Sequence, residues 1–79
     1  MLSLSDLQLG ETAIVQDIAI QNLADRQKLF ACGLLPGAAV TVVRIAPLGD
    51  PLQIQVDDDL LLSIRKVEGC HVTVNRTSR

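Results

Sequence analysis

Few residues in this chain are equipped to do chemistry: one histidine, His71, two cysteines, Cys32 and Cys70, and a run of three carboxylates, Asp57-Asp58-Asp59. A Cys–His nucleophilic pair needs thiol and imidazole within hydrogen-bond reach. Cys70 and His71 are neighbours in a stretch that alternates like a strand, which sends their side chains to opposite faces. Cys32 would meet His71 only through a tertiary contact. The aspartates are hard oxygen donors suited to a divalent ion. Being consecutive, however, they diverge at a turn, and the alternating acidic spacing of a calcium loop ending in Glu is absent. Their simpler use is to hydrogen-bond the backbone of the turn itself. The cysteines lack the paired spacing of a zinc site. Neither glycine-rich phosphate loop, Gly-x-x-x-x-Gly-Lys-Ser/Thr or Gly-x-Gly-x-x-Gly, occurs. The residues therefore assign no catalytic group, no metal ligand and no cofactor, and they point to a protein that works by binding.

Composition narrows what it binds. The chain has 79 residues, enough for one domain, and 48% of them are hydrophobic, which argues against intrinsic disorder. With no Trp, no Tyr and a single Phe, Phe30, it cannot build an aromatic platform for single-stranded nucleic acid or an aromatic groove for proline-rich peptides. A net charge of -2, with its seven Lys and Arg scattered along the chain, supplies no basic field for a phosphate backbone. Nucleic acid is not an expected partner. The N-terminus lacks the basic start and apolar core of a signal peptide. No apolar run approaches the ~18 residues of a membrane span. A cytoplasmic protein with both cysteines reduced is the expectation, because cytosolic disulfides are rare.

The elements that must position any binding surface are mostly strands. Period-two alternation marks five of them: Thr12 to Ile20, Ala39 to Ala46, Leu52 to Val56, Leu60 to Ile64 and Cys70 to Val74. The expected inward residues are Ile14, Ile18 and Ile20 in the first, with Val15 outward. In the third they are Leu52, Ile54 and Val56. In the fourth they are Leu60, Leu62 and Ile64, and in the fifth Cys70, Val72 and Val74, with His71 facing out. One segment breaks the rhythm: Asn22 to Cys32 holds good helix formers and no Pro or Gly. Asn22 is placed to cap that helix, Asp25 favours its first turn, and Leu23, Leu29 and Phe30 make its apolar stripe. Gly33 follows as a left-handed stop, and Pro36-Gly37 turns the chain into the second strand. A mainly β fold results: a small SH3-like barrel of about five antiparallel strands, with one short helix between strands one and two and residues 1–79 forming a single domain. An OB-like barrel is the alternative. Closure removes the exposed edges that an open sheet would leave.

Three segments then carry a family resemblance. Arg26-Gln27-Lys28-Leu29-Phe30-Ala31-Cys32-Gly33-Leu34-Leu35-Pro36-Gly37 resembles the FeoA signature of a basic helix followed by Leu-Gly-(Leu/Met)-x-Pro-Gly. Ala46-Pro47-Leu48-Gly49-Asp50-Pro51, leading into Leu52 to Val56, is similar to that family's Pro-x-Gly-Asp-Pro turn before an apolar strand. Leu62-Ser63-Ile64-Arg65-Lys66-Val67-Glu68-Gly69 resembles its Leu-x-Leu-Arg segment, and Leu7-Gln8-Leu9-Gly10-Glu11 also fits. Cys32 stands where the family usually has Leu or Met, a change that a small apolar thiol absorbs. The resemblance implies a soluble SH3-like accessory protein of ferrous iron transport. Its implied partner is the cytoplasmic GTP-binding domain of a FeoB-type membrane permease, which would recruit it to the inner face of the membrane without inserting it. The same barrel resembles the C-terminal domain of iron-dependent repressors, so a metal-sensing regulatory domain is the alternative. With no DNA-binding helices ahead of it, a free-standing protein is expected.

A docking surface follows from the elbow. The chain leaves the helix at Gly33 and turns again at Pro36-Gly37, so Leu34 and Leu35 cannot both point inward. Leu34 is expected in the core. Leu35 is expected outside, beside Pro36, Arg26 and Gln27, as an apolar spot with a polar rim of the kind found at interface centres. Arg65 is a second candidate contact.

Overall fold

Leu52-Gln53-Ile54-Gln55-Val56 alternates without a break, and it forms a strand in which Leu52, Ile54 and Val56 are buried. A computed structural model describes residues 2–76. In chain order it contains a short 3-10 turn (Leu4–Asp6), β1 (Thr12–Ile18), α1 (Leu23–Ala31), β2 (Ala39–Ile45), β3 (Leu52–Val56), β4 (Leu60–Ile64), α2 (Lys66–Gly69) and β5 (Val72–Arg76). All pairings are antiparallel, and the strands lie in the order β4-β3-β2-β1-β5. The last strand thus returns to pair with the first, while β4 ends the sheet on the other side.

Val15, Val42, Ile54, Ile64 and Val74, one from each strand, share a single buried cluster with Leu4, Leu29 and Leu34. The helices cannot cover a flat sheet of this width, since α1 fully buries only Leu29 and α2 only Gly69. The sheet must instead curl round its own inner face. Two irregularities in register help it bend, between Val15 and Asp17 in β1 and between Val42 and Arg44 in β2. Burying each of these aliphatic side chains stabilises the fold by about 1.5–3 kcal/mol before conformational entropy is set against it.

The β1 irregularity corrects the expected facing of that strand. Ala13 and Val15 are buried and Ile14 is half-buried, whereas Ile18 and Ile20 are buried as expected. The extra residue reverses the parity, so Val15 and Ile18 reach the same core although three positions apart. Three further expectations are also corrected. Leu23 is exposed and takes no part in an apolar stripe, and Leu60 lies largely outside. The segment expected to open the fifth strand is the end of α2, so β5 begins at Val72 and Cys70 is exposed.

Long-range polar contacts set the ends of these elements. Consecutive left-handed residues, Asp57 (φ 53) and Asp58 (φ 62), make the β3–β4 turn. The Asp57 carboxylate accepts the Ala39 N–H at 2.9 Å while the Asp57 N–H donates to the Ala39 carbonyl at 2.8 Å. The aspartate run is therefore a turn fastened to the start of β2. Glu68 accepts the Arg65 N–H at 3.1 Å and Asp50 accepts the Lys66 N–H at 2.9 Å, which satisfies two orphan donors at the start of α2. Among the described residues no helix is long and apolar enough to cross a membrane.

Candidate functional site

Asn22 starts the helix that carries the site. Its Oδ1 accepts the N–H groups of Ala24 and Asp25 at 3.0 and 3.2 Å. The helix runs nine residues to Ala31, and Gly33, with a φ of +86°, closes the last turn as its N–H donates to the Phe30 carbonyl. The Leu34 N–H reaches back to the Leu29 carbonyl at 3.0 Å, and this folds the Leu34 side chain under the helix, where it is 0% exposed.

The next turn faces the other way. The Ala38 N–H donates to the Leu35 carbonyl at 3.0 Å, and Gly37 takes φ +97°. Pro36 and Gly37 thus occupy the central positions of a type II turn, one preset by its ring and the other free to adopt positive φ. The turn hangs on a single residue of β1: the Gly37 N–H donates to the Val15 carbonyl at 2.7 Å, and the Val15 N–H donates to the Ala38 carbonyl at 2.9 Å. Leu35 remains 43% exposed on this rigid corner, beside exposed Pro36.

Arg26 and Gln27 are exposed on α1. The Arg26 guanidinium lies over the Phe30 ring, 5.7 Å from its centroid, which carries the cation toward the elbow end of the helix. Arg65 sits elsewhere. It lines a groove of about 450 Å³ together with Asn22, Asp25, Val67, Glu68 and His71, and its Nε is 3.6 Å from Glu68 Oε1. That groove opens at the first turn of α1, whereas the elbow follows its last. Nine helical residues put the two ends about 12 Å apart. Of the residues singled out in the sequence, Leu35 and Pro36 share the elbow, Arg26 and Gln27 are exposed on the helix that leads into it, and Arg65 lies on a separate surface.

Leu48 is a further exposed apolar residue, outside the set singled out in the sequence. It is 96% exposed at the tip of the Ala46–Pro51 turn, which the Asp50–Lys66 contact ties to α2. Its signal was a large apolar residue standing between Pro47 and Gly49, where a turn has no core to offer.

His71 is exposed, and both cysteines are free thiols, Cys32 half-buried and Cys70 exposed with its Sγ donating to the Val67 carbonyl at 3.1 Å. Among the described residues, no group of three or more His, Cys, Asp or Glu is placed to hold a metal ion. Two carboxyls are held below their ordinary values. Glu11 is lowered first by the Arg76 guanidinium and then by the Gln8 backbone N–H. Asp6 is lowered by the backbone N–H and hydroxyl of Ser3. Asp6 fastens the short 3-10 turn and Glu11 ties the approach to β1 to the end of β5, both distant in sequence from the elbow.

Comparison with known proteins agrees with this architecture. The FeoA domain family matches residues 2–76. The solution structure of FeoA from Chlorobium tepidum superposes with a TM-score of 0.90 at 36% identity, covering 98% of this chain and 71% of that one. Stenotrophomonas maltophilia FeoA, crystallised with zinc and described as a prokaryotic SH3 domain protein and a possible ferrous iron transport activating factor, gives a TM-score of 0.81 at 29% identity. That match covers 95% of this chain and 91% of the other. IdeR of T. acidophilum gives 0.83 at 18% identity over 96% of this chain and 34% of its own, a likeness of fold alone. With a family match over residues 2–76 and an SH3-like sheet in common with its relatives, this chain belongs to the FeoA family, whose members are associated with ferrous iron transport.

Proposed function

We propose that this chain is a cytoplasmic accessory protein that binds the GTP-binding domain of a FeoB-type permease and modulates ferrous iron uptake, acting as a single domain. The observation that carries the reading is the exposed Leu35, held on a corner fixed by three backbone hydrogen bonds. A side chain presented by a rigid turn loses little entropy on docking, which is how small apolar anchors reach useful affinity. Pro36 extends the apolar spot, and Arg26 and Gln27, exposed on the helix that leads into the elbow, would supply its polar rim. A matching partner surface offers a shallow apolar pocket with a carboxylate near its edge to meet Arg26. Membership of a family associated with ferrous iron transport supports the choice of partner.

Titrating the protein into the isolated cytoplasmic GTP-binding domain of such a permease, followed by calorimetry, tests the reading. Saturable one-to-one binding is expected. Absence of binding in both nucleotide states would overturn it.

A further inference from the structure

The two edges of the sheet are treated differently. The outer side of β5 is occupied, because the Val74 N–H donates to the Leu2 carbonyl at 2.9 Å and Ser3 forms a bridge with Thr73. β4 is the other terminal strand, and beyond its pairing with β3 no hydrogen bond reaches residues 60–64 among the described residues. Edge strands are normally blunted by charge, proline or a bulge. β4 has none of these. It reads Leu60-Leu61-Leu62-Ser63-Ile64, its register with β3 is unbroken, and Leu60 and Leu61 are 44% and 55% exposed.

The flanks of this strand say what pairs with it. Asp57-Asp58-Asp59 precede it and Arg65-Lys66 follow it, all of them exposed. We propose that β4 pairs antiparallel with β4 of a second copy of this chain, about a two-fold axis at Leu62. That register sets Leu60 against Ile64 and Leu61 against Ser63. It also brings Asp59 of each copy opposite Arg65 of the other, Arg65 being still extended where α2 begins. The strand is thus self-complementary in charge as well as in shape, as an isologous interface requires. Parallel pairing, or a register slipped far from Leu62, would lose these opposite-charge pairs and bring like charges nearer. The Arg65–Glu68 contact at 3.6 Å is an exposed pair that gives way at little cost.

The interface is small. A five-residue edge with its flanking charges falls below the ~1,200 Å² of a standard stable complex, so the dimer is weak and concentration-dependent. This proposal does not rest on the partner assignment, although the start of β4 neighbours the elbow: Asp59 and Leu60 line one groove with Cys32 and Gly33.

Sedimentation equilibrium over a wide concentration range at low salt is the first measurement, with a monomer–dimer equilibrium expected. Leu61→Lys, Asp59→Arg and Arg65→Asp should each raise the dissociation constant roughly tenfold or more, since every change acts twice in a symmetric dimer. The double variant D59R/R65D should recover the native value. An equimolar mixture of the Asp59→Arg and Arg65→Asp proteins should form a heterodimer tighter than either homodimer. Thermal melts of each variant check that it is folded, and any one that is not is replaced by Leu61→Glu. A protein that stays monomeric at every concentration overturns the proposal. So does a dimer that these substitutions leave unchanged.

Discussion

Leu34 and Leu35 are consecutive residues with opposite fates: the first is 0% exposed inside the core, and the second keeps 43% of its surface in solvent. Two glycines with positive φ, Gly33 and Gly37, enforce the split by turning the chain on either side of the pair.

Gly33→Val tests the first turn. A Cβ at this position would approach Val56 Cγ1 at 3.9 Å, an ordinary contact, so the cost is in the backbone and not in a clash. A β-branched residue at φ +86° should destabilise the fold by about 1–3 kcal/mol. In a domain this small that lowers the melting temperature by roughly 4–8 °C for each kcal/mol. An unchanged melt would mean that the helix does not end in a left-handed cap.

Gly69→Ala is expected to destabilise for a different reason. Alanine is normally the better helix residue by about 1 kcal/mol. Here its Cβ would sit 2.5 Å from Ser5 Oγ, which donates to the Lys66 carbonyl at 2.8 Å. Displacing that hydroxyl costs a hydrogen bond of about 1 kcal/mol together with local strain. In a Ser5→Ala background the penalty should shrink or reverse. A double-mutant cycle in chemical denaturation reads the coupling, and a coupling of zero would remove the contact from the explanation.

Acid should weaken the fold through Glu11. Its carboxyl is lowered from an ordinary value of 4.5, chiefly by Arg76 and then by the Gln8 N–H. The unfolded chain therefore binds the proton more readily than the folded one. The contribution is fully present above about pH 4.5 and is lost as pH falls through the lower folded value. Asp6, lowered from 3.8 by Ser3, adds to the same limb further down. Melting temperatures followed from neutral pH into this acid range should fall less steeply for Glu11→Gln than for the native protein. Equal slopes would show that Glu11 has the same affinity for protons in both states.

Much of this fold was legible in the residues, and the exceptions share a cause. β3 and β4 fall where strict alternation put them, and α1 lies within the span bounded by Asn22 and Gly33. Those signals are local. The helix α2 was missed because four residues are too few for periodicity to register, and what stabilises it comes partly from Asp50, 16 positions away. The facing of Val15 was missed because a single bulge residue reverses the parity on which strand reading depends. The site divides in the same way. The outward Leu35 follows from two neighbouring turns, but the distance of Arg65 from it depends on where α2 packs. The open edge of β4 becomes visible only when β5 is seen to pair with β1.

The most direct measurement is the affinity of Leu35→Glu for the isolated GTP-binding domain, made alongside a thermal melt of the same protein. Because Leu35 is on the surface, the substitution should change stability by less than about 0.5 kcal/mol. Losing an apolar anchor at an interface centre typically costs about 2 kcal/mol, which weakens binding roughly 30-fold, and burying an unpaired carboxylate adds to this. A folded variant that binds at least that much more weakly is the expected result. A folded variant that binds as tightly as the native protein would contradict the assignment of the elbow as the docking surface.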